Sequence, residues 1–169
     1  MPGSYHKLVY HFVWSTKYRA KRIEPDVKPR LYGFIRHKAE GLGARVLALG
    51  GVEDHVHLLV SMSPRVAPAD FIANVKGSSS HFMNHEVLGQ PRFYWQDGYG
   101  VLSVSYRDRI GIIRYVENQV EHHNSAKLVS SLEIVGDESP KSSNHPTVDG
   151  RSPGEDSADS LTGNSITGG

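Results

Sequence analysis

The stretch "ARVLALGGVEDHVHLLVSM", residues 44–62, limits what this chain can become more than any other. It is apolar, then broken by glycines and an acidic pair, then apolar again. That pattern reads as two strands joined by a short turn around residues 50–54. The flanking segments supply partners for this pair. "KLVYHFVWS" (7–15) is β-branched and aromatic with partial alternation, a first strand, and "GYGVLSVS" (98–105) is a fourth. Between the first strand and the pair, Pro25 suits a first helical turn. Val27, Leu31, Phe34 and Ile35 follow at helical spacing up to about Glu40, with Pro29 moving the start later and Gly41 and Gly43 ending the helix. After the pair, Pro64 and Pro68 bracket a loop and open a second helix that runs to about His85. Its buried stripe is Phe71, Ile72, Val75 and Phe82.

A third helix, "YRDRIGIIRYVENQVEHH" (106–123), follows Ser105 and Asp108, with Ile110, Ile113 and Val116 or Val120 as its apolar side and Gly111 as a mild internal cost. The order is β-α-β-β-α-β plus a C-terminal helix. This predicts an α+β protein of ferredoxin-like arrangement, a four-stranded antiparallel sheet with two helices on one face.

Charge divides the chain where the pattern fades. Residues 1–127 hold 17 of the 19 Lys and Arg and 11 of the 18 Asp and Glu. The front is therefore basic and suits a polyanionic partner. Residues 128–169 are acidic, rich in Ser, Gly, Asp and Pro, and without clustered apolar residues, which predicts a disordered tail beside a folded domain of residues 1–127. With no cysteine, disulfides and thiolate metal sites are excluded, and a reducing compartment is the default. No apolar run approaches a membrane span, and "MPGSYHKLVY" lacks the order of a signal peptide, so the expectation is a soluble intracellular protein.

His55 and His57 are one residue apart in a strand, so their imidazoles share a face about 6.5–7 Å apart at the backbone while Val56 points to the other side. Two neutral imidazoles can serve one divalent ion, and equally can be a half-buried polar face. Tyr115 and Gln119 are four apart and sit one above the other on the third helix. Laid over the histidines, that helix would add an amide oxygen and a hydroxyl nucleophile; the plainer reading of Tyr115 is an amphipathic core residue.

"GGVEDHVHLLVSM", "NVKGSSSHFMN", "FYWQDGYGVLSVS" and "IIRYVENQVEHH", in that order over residues 5–125, resemble the single-tyrosine HUH transposases of the insertion-sequence-200-like type, including the REP-associated tyrosine transposases. The tyrosine followed four residues on by glutamine is the most specific of these signals. The resemblance implies that His55 and His57 are metal ligands, Gln119 a third ligand and Tyr115 the nucleophile. It implies Mg²⁺ or Mn²⁺, single-stranded DNA with hairpin ends as substrate, a 5′-phosphotyrosine intermediate with a free 3′-OH, a homodimer and a prokaryotic, nucleoid-associated cytoplasmic setting. The alternative of another class is a single-stranded nucleic-acid-binding protein of the same fold without chemistry. Such a protein would need neither Tyr115 nor Gln119. The family continues after "EHH" with a basic extension, whereas this chain turns acidic.

Softer features complete the expectation. Lys17, Arg19, Lys21 and Arg22, interleaved with Tyr18, suit a DNA backbone with one base on the ring, or a solvated loop. Lys76 is a candidate phosphate contact, and Trp95 and Tyr99 are candidates for base stacking or for packing. His122 and His123 are read as favourable cations near a helix end. Glu53 and Asp54 read either as partners that orient His55 or as a polar turn.

Overall fold

The structure is a computed structural model and describes residues 5–125 and 128–135. Four strands form one antiparallel sheet: β1 (Leu8–Ser15), β2 (Ala44–Gly51), β3 (His55–Met62) and β4 (Gly100–Val104), in the order β2-β3-β1-β4. The predicted ferredoxin-like α+β arrangement is therefore the one observed. β3 and β1 are central and pair along their full length, with Val13 opposite His57 and Ser15 opposite His55.

Helices α1 (Lys28–Gly41) and α2 (Pro68–Phe82) cover one face. Each begins with a proline in its first turn, where a missing N–H costs nothing. Pro29 moves the start of α1 to Lys28 as the sequence suggests. Leu31 and Ile35 of α1 and Phe71, Ile72 and Val75 of α2 close over Phe12, Trp14, Val56, Leu58 and Val60 of the central strands. Phe34 and Phe82 stack on each other at 4.4 Å at the edge of that layer. Past Phe82 the chain tightens into a π-helical turn, Met83–Val87, where a plain helix to His85 was expected. The turn brings Asn84 inward. Its Oδ1 accepts from the backbone N–H of Arg92 (3.0 Å) and Phe93 (2.7 Å), and its Nδ2 donates to the Phe93 carbonyl.

The other face carries α3 (Arg109–Glu117), which lies across β2 and β3. The single helix expected over 106–123 is interrupted. Asn118 takes φ −101° and ψ 26°, and α4 (Gln119–Asn124) starts afresh beyond it. The buried side of α3 is the expected one at Ile113 and Val116 and departs from it at Ile110. Val116 is buried against Val9, Ala48 and Leu59, with Ile112 and Ile113 beside it, whereas Ile110 and Val120 are about half exposed. Gly50 explains how α3 comes so close to the sheet, since a Cβ there would stand 1.8 Å from the Val116 carbonyl oxygen.

Residues 128–135, expected to open a disordered tail, pack onto the domain instead. A short turn, Ser130–Leu132, buries Leu132, and the Ile134 carbonyl lies where a side chain on Gly100 would be. Leu132 gives this segment something to bury, while Leu128, Val129 and Ile134 stay exposed. The rest of the predicted tail, 136–169, lies outside the described residues.

Candidate active site

The strand pleat sends Val56 into the α1/α2 core and His55 and His57 to the α3 face, as their spacing requires. Both histidines are buried. His55 Nδ1 is 2.6 Å from Asp54 Oδ1, so its proton sits on Nδ1 and its Nε2 lone pair faces the α3 side. This settles Asp54 as the partner of His55. Its carboxyl lies below the usual range chiefly through that hydrogen bond. Glu53 pairs with Lys21 at 3.2 Å instead. His57 Nε2 has no hydrogen-bond partner among the described residues, and its Nδ1 lies 2.9 Å from Nε2 of His11 on β1.

α3 delivers Tyr115 to the same place. Its ring meets the His57 ring edge-on at 6.1 Å, and its hydroxyl donates to Glu133 Oε1. The Val129 N–H donates to that hydroxyl at 3.2 Å. Burial, and then the bond to Glu133, raise the phenol above its ordinary pKa. Gln119 opens α4 with its Nε2 donating to the Tyr115 carbonyl at 3.2 Å, while its buried Oε1 has no partner among the described residues.

Glu133 and the histidines of α4 complete the cluster. Glu133 Oε2 lies 3.5 Å from His55 Nε2 and Oε1 lies 3.5 Å from His57 Nε2. Burial alone would push this carboxyl up, but the adjoining His57 imidazole, the hydrogen bond from Tyr115 and the nearby His55 outweigh burial and hold it at about 2. His123 Nε2 stands 3.2 Å from His55 Nε2, and His122 stacks on the Tyr115 ring at 4.8 Å. This corrects their reading as helix-end cations. They turn into the site, and burial, with His55 beside it, lowers the His123 pKa.

The donor set fits a divalent cation. One ligand atom from each of His55, His57 and Glu133 lies within 4.8 Å of the others. Two further facts point the same way: the unpartnered His57 Nε2 and Gln119 Oε1 are the kind of buried polar atoms that an ion satisfies. Imidazole nitrogen with amide and carboxylate oxygen is a donor set for a divalent ion.

The four residues named from the sequence, His55, His57, Tyr115 and Gln119, are thus gathered in one place. Beside them opens a cavity of about 600 Å³ lined by Lys21, Lys28, Asp54, Val120, His123 and Asn124, among others. The basic loop forms its edge. Arg19 reaches Asp54 at 3.3 Å, Lys17 lies over the Tyr18 ring, and Arg22 is exposed. Tyr18 and Arg19 both hold positive φ, 57° and 50°, which leaves the Tyr18 ring 81% exposed.

Lys76 is not brought to the site. It lies on α2, and its ammonium donates to the carbonyls of Gln96 (2.7 Å) and Gly98 (2.5 Å). Trp95 is core, edge-on to Trp14 and Phe93 with its N–H on Ser79 Oγ at 3.0 Å, and Tyr99 packs against that core. The polar side of α2 therefore clamps segment 92–98, which holds the basic loop in turn through a bond from Tyr18 N–H to Gln96 Oε1. Glu133 and His11 were missed by the sequence reading. One sits in a stretch composed like a tail, and the other is a lone histidine in an apolar strand.

Fold and site together define a ferredoxin-like α+β protein whose central strand offers two imidazoles under a tyrosine helix. Comparison with known families places it further: residues 4–119 match the family "Transposase IS200 like", and the chain belongs to that family. The ISDra2 transposase TnpA of Deinococcus radiodurans is 33% identical over 122 residues, 69% of this chain and 87% of that protein. The transposase for insertion sequence element IS200 of Salmonella typhimurium is 27% identical over 127 residues, 72% of this chain and 82% of that one. A solved Deinococcus radiodurans structure assigned as a transposase superposes with TM-score 0.56 at 35% identity, covering 70% of this chain and 95% of that one. A REP-associated tyrosine transposase bound to a REP hairpin shares the fold alone, with TM-score 0.56 at 14% identity over 88% of this chain and 98% of that one. Among the described residues no helix is long and apolar enough to cross a membrane.

Proposed function

We propose that this transposase cleaves and rejoins single-stranded DNA at hairpin-flanked sites through a 5′-phosphotyrosine intermediate. The observation that carries the reading is the convergence of the Tyr115 hydroxyl with His55, His57, Gln119 and Glu133. In that cluster the buried His57 Nε2 and Gln119 Oε1 lack partners. His55 and His57 would hold Mg²⁺ or Mn²⁺ through their Nε2 atoms and Gln119 through its Oε1, with Glu133 beside them. When bound, the ion withdraws charge from the scissile phosphate and from the leaving oxygen.

Tyr115 is the nucleophile. Its phenol, raised above the usual value, is not ionised at neutral pH, so its proton must leave as the bond to phosphorus forms. Glu133 already accepts that hydrogen bond and carries the proton across. The tyrosyl O–P bond forms, the P–O3′ bond breaks, and the 3′ oxygen departs as a hydroxyl. The phosphodiester energy is kept in the phosphotyrosine, so rejoining to another 3′-OH needs no nucleotide cofactor. Lys21 at the cavity, with Lys17, Arg19 and Arg22 of the same loop, guides the strand, and the exposed Tyr18 stacks on a base. The protein acts as a homodimer, with the β4 edge, where Val101 and Leu102 are exposed, as the surface that meets the second copy.

The test is a denaturing gel of purified protein with labelled single-stranded hairpin DNA and Mn²⁺, beside Tyr115→Phe. The expected result is a metal-dependent covalent adduct absent from the variant. Binding on native gels that is equal in both proteins, with no adduct in either, would instead assign a DNA-binding protein without chemistry.

A further inference from the structure

β1 carries one histidine to which the chemistry above gives no task. His11 is fully buried mid-strand, on the side of Val9 and Val13, and its Nδ1 has no hydrogen-bond partner among the described residues. A leucine there would join the small apolar cluster of Val9, Leu59 and Val116 without that cost. An unpaired buried polar atom in the centre of a sheet calls for a reason.

The reason lies in how His11 meets His57. The two ring nitrogens are 2.9 Å apart, the ring centroids 5.1 Å, and the planes 15° apart. The centroid distance is close to the N···N distance plus two ring radii, so the rings meet end to end and nearly coplanar. The hydrogen bond then lies in both ring planes, where the N–H of one imidazole points at the lone pair of the other. Only two proton arrangements are open. If His11 donated, the His57 proton would sit on Nε2, which would then face the ion site with a hydrogen and no lone pair. If His57 donates from Nδ1, its Nε2 presents a lone pair to the cluster, as the Asp54 bond makes His55 do.

We propose that His11 is a positioning residue for His57: it accepts the Nδ1 proton of His57, fixes the ring plane, and leaves Nε2 free to hold the ion. His11 does for His57 what Asp54 does for His55, with a neutral acceptor in place of a carboxylate. The inference rests on the metal site proposed above, and its test separates the two.

Mn²⁺ binding is measured by electron paramagnetic resonance on the full chain, His55→Ala, His11→Leu and His11→Gln. The unmodified chain should bind and His55→Ala should not. His11→Leu should bind about ten- to a hundredfold more weakly, the usual range for loss of a residue that orients a ligand. His11→Gln, whose amide oxygen can accept the same proton, should recover most of that loss. A merely structural role would not divide the two variants in this way. Binding by His11→Leu equal to the unmodified chain, or His11→Gln as weak as His11→Leu, overturns the positioning role alone. Absence of binding to the unmodified chain overturns the metal site, and the inference with it. Should His11→Leu fail to fold, nitrogen-15 spectra of the unmodified protein with Mg²⁺ decide. A proton on His57 Nδ1, coupled to His11 Nε2, supports the assignment, and a proton on His11 Nε2 overturns it.

Discussion

Among the described residues, 17 buried ones close into one apolar core under α1 and α2, while under α3 only Val9, Ala48, Leu59 and Val116 do so. The same strands serve both faces, since alternate residues of β1 and β3 point each way. On the first face burial is converted into stability. On the second, β1 and β3 spend three central positions on His11, His55 and His57, and α3 is held by Val116 and by the closeness Gly50 permits. The sheet is therefore a rigid base stabilised from one side, with chemistry assembled on the other.

The largest expected effect breaks the fold from the apolar side. Phe12→Ala removes a fully buried ring packed on Phe71 and should cost about 3–5 kcal/mol of unfolding free energy in urea titration. His57→Leu, equally buried but on the other face, should leave the unfolding free energy within about 1 kcal/mol while abolishing the covalent adduct. A destabilisation by His57→Leu as large as that of Phe12→Ala would sink the division between the faces.

Next in size is a change that loosens the second face without touching its chemistry. Gly50→Ala places a methyl 1.8 Å from the Val116 carbonyl, so α3 must move and carry Tyr115 with it. Displacement of a nucleophile by about 1 Å is worth about a hundredfold in rate, so adduct formation in single-turnover assays should fall by that order. Unchanged rates would mean that Tyr115 is positioned by Glu133 and Val129 rather than by the seat of α3.

The polar face should also give the fold an acid weakness. Burial, then the neighbouring His57, lowers the His11 pKa to about 3, and burial lowers that of His57. Both groups bind protons more readily unfolded, near pH 6.5, than folded. The contribution is complete above about 6.5 and is lost as pH falls toward 3, with a slope of about 1.4 kcal/mol per pH unit for each proton involved. Urea midpoints of the metal-free protein from pH 7 to 4 should show this slope, and His11→Leu should reduce it.

The apolar face was legible in the sequence because its signals are local: period-two strands, prolines opening α1 and α2, and the Phe71, Ile72 and Val75 stripe. On the second face spacing aligns His55 with His57 and Tyr115 with Gln119, and the resemblance to the transposases, not spacing, gave the two pairs their roles. What could not be read depends on tertiary pairing. His11 acquires meaning only when β1 lies beside β3, and Glu133 only when "LVSSLEI" folds back along Gly100. The break at Asn118 carries no proline or glycine to announce it, and it turns His122 and His123 inward, away from the helix-end role their position suggested. Lys76, a candidate phosphate contact, is drawn to segment 92–98, and Trp95 takes the packing alternative that stood beside base stacking. Residue types that suit DNA were taken up by segment 92–98 and by the core.

The smallest expected effect asks whether an unpaired polar atom means the same thing on both faces. In the apolar core Trp14 Nε1 has no partner among the described residues, whereas Trp95 Nε1 donates to Ser79 Oγ at 3.0 Å. Replacing either ring by phenylalanine removes similar volume, so the difference between Trp14→Phe and Trp95→Phe isolates the hydrogen bond. Trp95→Phe should be the more destabilising by about 1 kcal/mol, and neither change should alter Mn²⁺ affinity. If Trp14→Phe weakened Mn²⁺ binding, its orphan donor would be coupled to the site across the sheet. If it does not, unpaired atoms on the apolar face are tolerated flaws. The orphan at His57 Nε2 would then stand apart, because it lies 3.5 Å from Glu133 Oε1 in the cluster where the ion is proposed to sit.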